Sequence, residues 1–271
     1  MSWEEIGDRC FRRQYESFDV NVGVVIGQHG AVLIDTRASL PQGTELKEDL
    51  RELGVGEPVA VINTHGHFDH CFGNGAFTGL FWGHTGLPEY LTAETWVTMS
   101  LDDPDWARSV AGTGVPAPSE LVDDLELIDL GDRLVELHHL GRGHTSHDLL
   151  VHVPDSGVLF AGDLVEQSGP PSYGSDSFPL DWPLTLTRLL ELRPEVIVPG
   201  HGSPVDRQFA KEQRDAIAAV AHGIREAYDS GYDPIKALTA LTWPYDPLVL
   251  MHALARGYIH LAGLVLSCSS G

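Results

Sequence analysis

The sequence predicts an α/β (α+β) protein in which two β-sheets pack face to face and carry helices on their outer faces. Three observations predict it. Short β-branched runs broken by Gly-rich turns fill residues 20–36 and again the stretch from about 126 to 163. Each β-rich stretch is followed by an amphipathic helix and then a short apolar strand. The element order therefore repeats although the sequence does not. Two sheets, each with one apolar face to bury, satisfy that order by packing on one another.

The elements follow in order. "VNVGVVIGQHGAVLIDT" (20–36) reads as a hairpin, with two β-branched runs around the turn "GQHG". "QGTELKEDLRELG" (42–54) places leucines at 46, 50 and 53 before a closing glycine, as an amphipathic helix should. "PVAVINT" is then a buried strand, so the first sixty residues read β-β-α-β. "PEYLTAETWVTMSL" (88–101) is expected to be helical, and "DDPDWARSVAGTGVPAPSE" (102–120), rich in Pro, Gly and acids, a surface loop. "LELIDLGDRLVELHHLG" returns to a strand pattern, and "HDLLVHVPDSGVLFAGD" is a second hairpin around "PDSG". "LDWPLTLTRLLELRP" (180–194) is a helix stopped by Pro194, and "EVIVPGHG" a short buried strand. A long helix spans 206–231, with Asp206 near its start and Gly231 as its stop, and one or two more helices fill 234–266. The expected division is residues 1–204 as the catalytic domain and 205–271 as a C-terminal helical extension packed on it. That tail would cap a pocket or form the face of a homodimer.

Composition excludes several classes of function. Lys+Arg 17 against Asp+Glu 39 gives a net charge of −22. Such a surface repels phosphate backbones and anionic lipid, so neither nucleic acid nor membrane is expected as a partner. Three scattered cysteines, Cys10, Cys71 and Cys268, suit a reducing compartment rather than a disulfide framework. The opening "MSWEEIGDRCFRRQY" has early acids and no apolar core. A secretory leader is therefore not expected, and a cytoplasmic location is.

The chemistry concentrates in four Gly-rich loops at strand ends, where α/β folds place ligands. "NTHGHFDH" (63–70) holds His65, His67, Asp69 and His70; "GRGHTSHD" holds His144; "FAGDLVE" holds Asp163; "VPGHGSP" holds His201. Imidazole and carboxylate suit zinc, iron or manganese. His65, His67 and Asp69 alternate, so an extended segment would put them on one face with His70 pointing elsewhere. One short loop would thereby feed two adjacent metals.

The ordered motifs H-G-H-F-D-H, G-H-T, A-G-D and P-G-H-G resemble those of the metallo-β-lactamase-fold superfamily, from the first hairpin to His201. The resemblance implies a four-layer αβ/βα sandwich of two mixed sheets with outer helices, and a binuclear site on its edge. It implies that His65, His67 and His144 hold one metal, that Asp69, His70 and His201 hold the other, and that Asp163 bridges them. The cofactors would be two divalent metal ions, zinc first, with iron or manganese as alternatives. A hydroxide shared between them would attack the substrate, aimed by Asp69 as the catalytic residue.

The resemblance alone does not name a substrate. The metal-binding cysteine of familiar zinc β-lactamases is absent, its slot falling to Asp163, and no lysine lies near a motif. The set looks like that of glyoxalase II, lactonases and phosphodiesterase-type members. Lactonases carry a tyrosine soon after the bridging aspartate, whereas this chain has Glu166 three residues on and Tyr173 further away. The expected activity is a metal-dependent hydrolase cleaving a small-molecule ester, thioester, lactone or lactam. The alternative is an oxidoreductase resembling mono-iron persulfide dioxygenases; a metal-binding protein without turnover ranks third. His29, His138, His139, His152, His222, His252 and His260 read as ordinary structural residues. His84 is a candidate pocket residue, and His147 a candidate support for a metal-binding histidine. Cys71 reads as a small buried side chain before a redox thiol. Ser172 or Tyr173, in the loop 167–178, is a candidate oxyanion donor.

Overall fold

The computed structural model describes residues 2–91 and 114–268, with side chains described as far as 263. The first sheet has seven strands in sequential order, β1 (Glu4–Gly7), β2 (Cys10–Gln14), β3 (Asn21–Gly27), β4 (Gly30–Ile34), β5 (Ala60–Ile62), β6 (Leu80–His84) and β7 (Glu120–Val122). It is antiparallel from β1 to β4 and parallel from β4 to β7. The second sheet has five strands, β8 (Leu125–Asp129), β9 (Leu134–His138), β10 (Leu150–Val153), β11 (Val158–Gly162) and β12 (Val196–Pro199), antiparallel except for the β11–β12 pair.

Alternation along the strands decides the layers. Val25, Val32, Ile34, Ala60 and Ile62 of the first sheet meet Val135, Leu137, Val151, Val158 and Phe160 of the second in one buried cluster. Val24, Leu33 and Val61 point the other way and pack with Leu46 and Leu50. Leu46 lies on helix α1 (Leu40–Asp49), and Leu50 opens the short 3-10 turn that prolongs it to Leu53. The outer face of the second sheet, through Leu150, Leu159 and Ile197, is covered by α4 (Trp182–Glu191) and α5 (Arg207–Asp229). The result is helix, sheet, sheet, helix.

Local signals set the helix ends. Ser39 caps α1 by accepting from Gln42 N, and Pro41 sits in its first turn. Asp206 caps α5 by accepting from Phe209 N at 2.9 Å, worth about 1 kcal/mol. Ala210, Gln213, Ile217, Val220, Ala221, Ile224 and Ala227 form the buried stripe of α5, and the left-handed Gly231 (φ 68°) follows its end. The tail is α6 (Pro234–Ala240) and α7 (Met251–Cys268), both packed against α5. Among the described residues no helix is long and apolar enough to cross a membrane.

Several expectations change. Strands β1 and β2 precede the first hairpin, so the chain opens β-β-β-β-α-β. Strand β6 and the edge strand β7 were not anticipated; β7 begins at the last residue of the presumed loop 102–120. Of the helix expected over 88–101, one turn is seen, α3 (Leu87–Tyr90); residues 92–113 lie outside the described residues. The loop after β5 is not extended throughout. Phe68–Cys71 form a helical turn, α2, closed by His70 N to His67 O and Phe72 N to Phe68 O. Asp69 is therefore not on the face of His65 and His67 by alternation; the helical turn swings Asp69 and His70 to the other side.

Candidate metal centre

The cluster is assembled at one edge of the sandwich from both sheets. His65 and His67 leave the end of β5, and α2 presents Asp69 and His70. His144 comes from the turn between β9 and β10, Asp163 from the end of β11, and His201 from just past β12. The parallel register of β11 and β12 sets Gly162 beside Pro199, bringing Asp163 and His201 to adjacent strand ends.

The donor atoms converge in two groups. One ligand atom each from His65, His67, His144 and Asp163 lie within 4.8 Å of one another, as do those of Asp69, His70 and His201. Asp163 stands between the groups. Its Oδ2 is 3.8 Å from His65 Nε2, 3.5 Å from His144 Nε2 and 3.4 Å from His201 Nε2, and its Oδ1 is 3.2 Å from His70 Nε2. Asp69 Oδ2 lies 3.4 Å from His201 Nε2 and 3.7 Å from His70 Nε2.

The outward nitrogen of every ring has an acceptor, which fixes what the inward nitrogen carries. His70 Nδ1 donates to Asp35 Oδ2 (2.8 Å), and His201 Nδ1 to Phe18 O (2.7 Å). His144 Nδ1 donates to Ser172 O (3.0 Å), and His67 Nε2 to Asp176 Oδ2 (3.1 Å). His65 Nδ1 donates to Thr64 Oγ1 (3.1 Å), which in turn donates to Asp35 Oδ2 (2.8 Å). With all five rings neutral, as metal binding requires, five inward lone pairs result. Two of them, His144 Nε2 and His67 Nδ1, face each other at 2.8 Å, and His70 Nε2 faces His201 Nε2 at 3.4 Å. His65 Nε2 and Asp163 Oδ1 are buried with no hydrogen-bond partner; His70 is near Oδ1, but not aligned as a hydrogen bond. Lone pairs buried against lone pairs and carboxylates are repulsive unless positive charge lies between them. The residues fit a pair of divalent cations.

The electrostatics point the same way. Burial opposes ionisation of Asp163, yet His201, His70, His65 and His144 together hold its carboxyl well below the usual carboxylate range. Burial opposes charge on His70 too, but Asp163, Asp69 and Asp35 outweigh it and raise the ring well above its ordinary value. His201 goes up to about 9, burial being overcome chiefly by Asp163. Burial, with His70, drives His65 well down, and burial with His67 takes His144 to about 4. The carboxylates draw in positive charge, and protons and metal compete for it.

Gly200 makes room for this arrangement: a Cβ there would overlap the Asp163 carboxylate. Glu166 was seen in the sequence only as a departure from a family pattern. It is buried beside the second group, with a donor atom near those of Asp163 and His201. Burial and the neighbouring Asp163 push it up to about 7, and Ser168 Oγ donates to it at 2.9 Å. Asp35 and Asp176 were missed altogether.

The secondary candidates resolve differently. His147 Nε2 accepts from Gly66 N at 3.1 Å and so steadies the loop carrying His65 and His67. His84 stacks on His139, ring centroids 4.0 Å apart. Cys71 Sγ contacts Gly66 O and His67 O, and burial pushes its thiol far up, so it is inert. Tyr173 is not an oxyanion donor: it is buried edge-on against Trp182 in the outer core. The loop 167–178 instead supplies the Ser172 carbonyl and Asp176 carboxylate that hold His144 and His67.

The fold and the donor cluster define a metallo-hydrolase. The chain belongs to the metallo-beta-lactamase superfamily, whose family model matches residues 16–201. It is 28% identical over 223 residues to the human acyl-coenzyme A thioesterase MBLAC2, a match covering 73% of this chain and 80% of the relative. It is 26% identical over 183 residues to the metallo-beta-lactamase type 2 of Bacteroides fragilis, covering 66% and 67%. The sec-alkylsulfatase Pisa1 from Pseudomonas sp. superposes with a TM-score of 0.74 at 17% identity, over 95% of this chain and 49% of the sulfatase. That likeness is one of fold, and it extends through the C-terminal helices.

Proposed function

We propose that this protein hydrolyses a small acyl substrate, a thioester first and an ester, lactone or lactam after it, with two divalent metal ions, zinc foremost. The observation that carries the reading is the set of five inward imidazole lone pairs, each fixed by an outward hydrogen bond, around a buried carboxylate. The acyl-coenzyme A thioesterase and β-lactamase relatives both act, by their names, at an acyl carbon, which favours a carbonyl over a phosphoryl centre.

His65, His67 and His144 would hold one ion, and Asp69, His70 and His201 the other, with Asp163 shared. Bound there, the ions would supply Lewis acidity, making a water ionisable near neutral pH and neutralising charge on the carbonyl oxygen. Asp69, 8% exposed, would accept a hydrogen bond from the attacking water and aim it. Attack forms the new carbon–oxygen bond; the acyl carbon's bond to sulfur, to oxygen or, in a lactam, to nitrogen then breaks, and the leaving sulfur, oxygen or nitrogen takes the proton. Asp35, Asp176, Thr64 and the carbonyls of Ser172 and Phe18 keep the rings from turning during this cycle.

Elemental mass spectrometry on protein purified without added metal or a metal-binding tag tests the reading. Zinc filling the cluster, with turnover of acyl thioesters exceeding that of β-lactams, is the expected result. A single iron per chain with oxygen consumption on a persulfide would overturn it in favour of the oxidoreductase alternative.

A further inference from the structure

We propose that Glu136, His138 and His152 form a separate binding site for a divalent transition-metal ion on the outer face of the second sheet. Glu136 and His138 are two apart on β9 and share a face, and His152 on β10 stands directly across from Glu136. Glu136 Oε2 is 2.9 Å from His138 Nε2 and 2.9 Å from His152 Nδ1. One donor atom from each residue lies within 4.8 Å of the others.

The setting makes this more than a polar pair. Leucines surround the trio on this same face: Leu125 and Leu127 on β8 stand opposite His138 and Glu136, Leu134 precedes Glu136 by two on β9, Leu150 stands opposite His138, and Leu159 on β11 stands opposite His152. A single cross-strand histidine would satisfy the glutamate; here two converge on the same oxygen. Two imidazoles and one carboxylate are a donor set for zinc, cobalt or nickel rather than for calcium or magnesium. Binding requires each ring to move its proton to the outward nitrogen. Neither His138 Nδ1 nor His152 Nε2 is among the buried unpartnered atoms, so that tautomer strands no donor. The Glu136 side chain is 28% exposed, which gives an ion a way in and leaves room for water in the remaining coordination positions.

This site is independent of the edge cluster. Its residues lie within strands, on the face away from the packed sheets, whereas the edge donors sit at strand ends. An ion here would tie β9 to β10 and add to the chain's metal count without entering the reaction.

The test is zinc binding by calorimetry and elemental analysis on the full chain, comparing wild type with Glu136→Gln and with His138→Gln/His152→Gln. Wild type is expected to bind one equivalent more than the double variant, and Glu136→Gln to bind that equivalent at least tenfold more weakly. Hydrolysis is expected to be unchanged in both. Equal stoichiometry and affinity in all three overturns the site. Cobalt titration of unaltered protein, followed by NMR, needs no variant to fold. Paramagnetic broadening at His138 and His152 is expected, and its absence also overturns the site. A failure of the edge-cluster reading would appear instead as full metal retention when His65 or His144 is removed, and would leave this difference untouched.

Discussion

Gly200 and Asp163 occupy the same small space: the carboxylate of one fills the place a Cβ would take on the other. Backbone bonds from Gly200 N to Gly162 O (2.8 Å) and to Val165 O (3.3 Å) lock the two strand ends together, so neither residue can retreat. The only side chain compatible with Asp163 between the two donor groups is a hydrogen.

Gly200→Ala should therefore displace Asp163 while leaving the sheets intact. We expect metal affinity and hydrolysis to fall by about 10–100-fold or more, with an unchanged far-ultraviolet circular dichroism spectrum. Full metal occupancy and normal turnover in this variant would show that Asp163 need not sit where the structure puts it.

Asp35 makes a sharper case for support from outside the cluster. Its carboxylate accepts from Thr64 N, Thr64 Oγ1 and His70 Nδ1, each at 2.8 Å. Asp35→Asn replaces one acceptor oxygen with a donor and must turn it toward another donor. Metal content measured after dialysis should drop at the Asp69–His70–His201 group, with a loss in kcat/KM of about 10–100-fold. An unaffected variant would mean that His70 is held by its backbone alone.

Asp69→Asn separates binding from chemistry. His70 and His201 remain to hold an ion, and the other group keeps three histidines, so metal content should fall only in part. Turnover should fall by about 10²–10⁴-fold, because an amide no longer accepts the water's proton in the same way. Single-turnover kinetics on metal-saturated protein checks this; normal turnover would remove Asp69 from the reaction.

His84 gives a pH dependence remote from the donors. Burial first, then His139, lowers its ring to about 4 from an ordinary value near 6.5. The unfolded chain thus takes up this proton at a pH where the folded chain refuses it. The stability contributed by neutral His84 is complete above about pH 6.5 and is lost as pH falls toward 4. Urea midpoints between pH 7 and 4.5 should fall less in His84→Asn than in wild type. Parallel curves would show that His84 titrates normally in the folded protein.

The pattern of what the sequence disclosed follows from how far apart partners lie. The four donor loops could be found because each is a local signal, polar residues and glycines directly after a buried apolar run. The supports could not. Asp176 is 109 residues from His67 and Asp35 is 35 from His70, and each belongs to an unremarkable loop or strand end until the fold brings it round. Alternation was the wrong period for Phe68–Cys71, where a single helical turn does the positioning. Strands β1 and β2 escaped notice because Arg12, Arg13 and Gln14 break their apolar pattern; those side chains instead reach Glu4, Glu52 and Asp19. His138 and His152 read as ordinary because only the β9–β10 register brings His152 opposite Glu136, the neighbour two before His138.

The origin of the donors has a mechanical meaning. His65, His67, Asp69 and His70 hang from the first sheet, while His144, Asp163 and His201 hang from the second. Elsewhere the sheets are joined largely by greasy side chains, which resist separation but yield more readily to sliding. Ions gripped from both sides would act as rivets through that seam. The charge that activates water would then also set how far one half of the molecule can slip past the other.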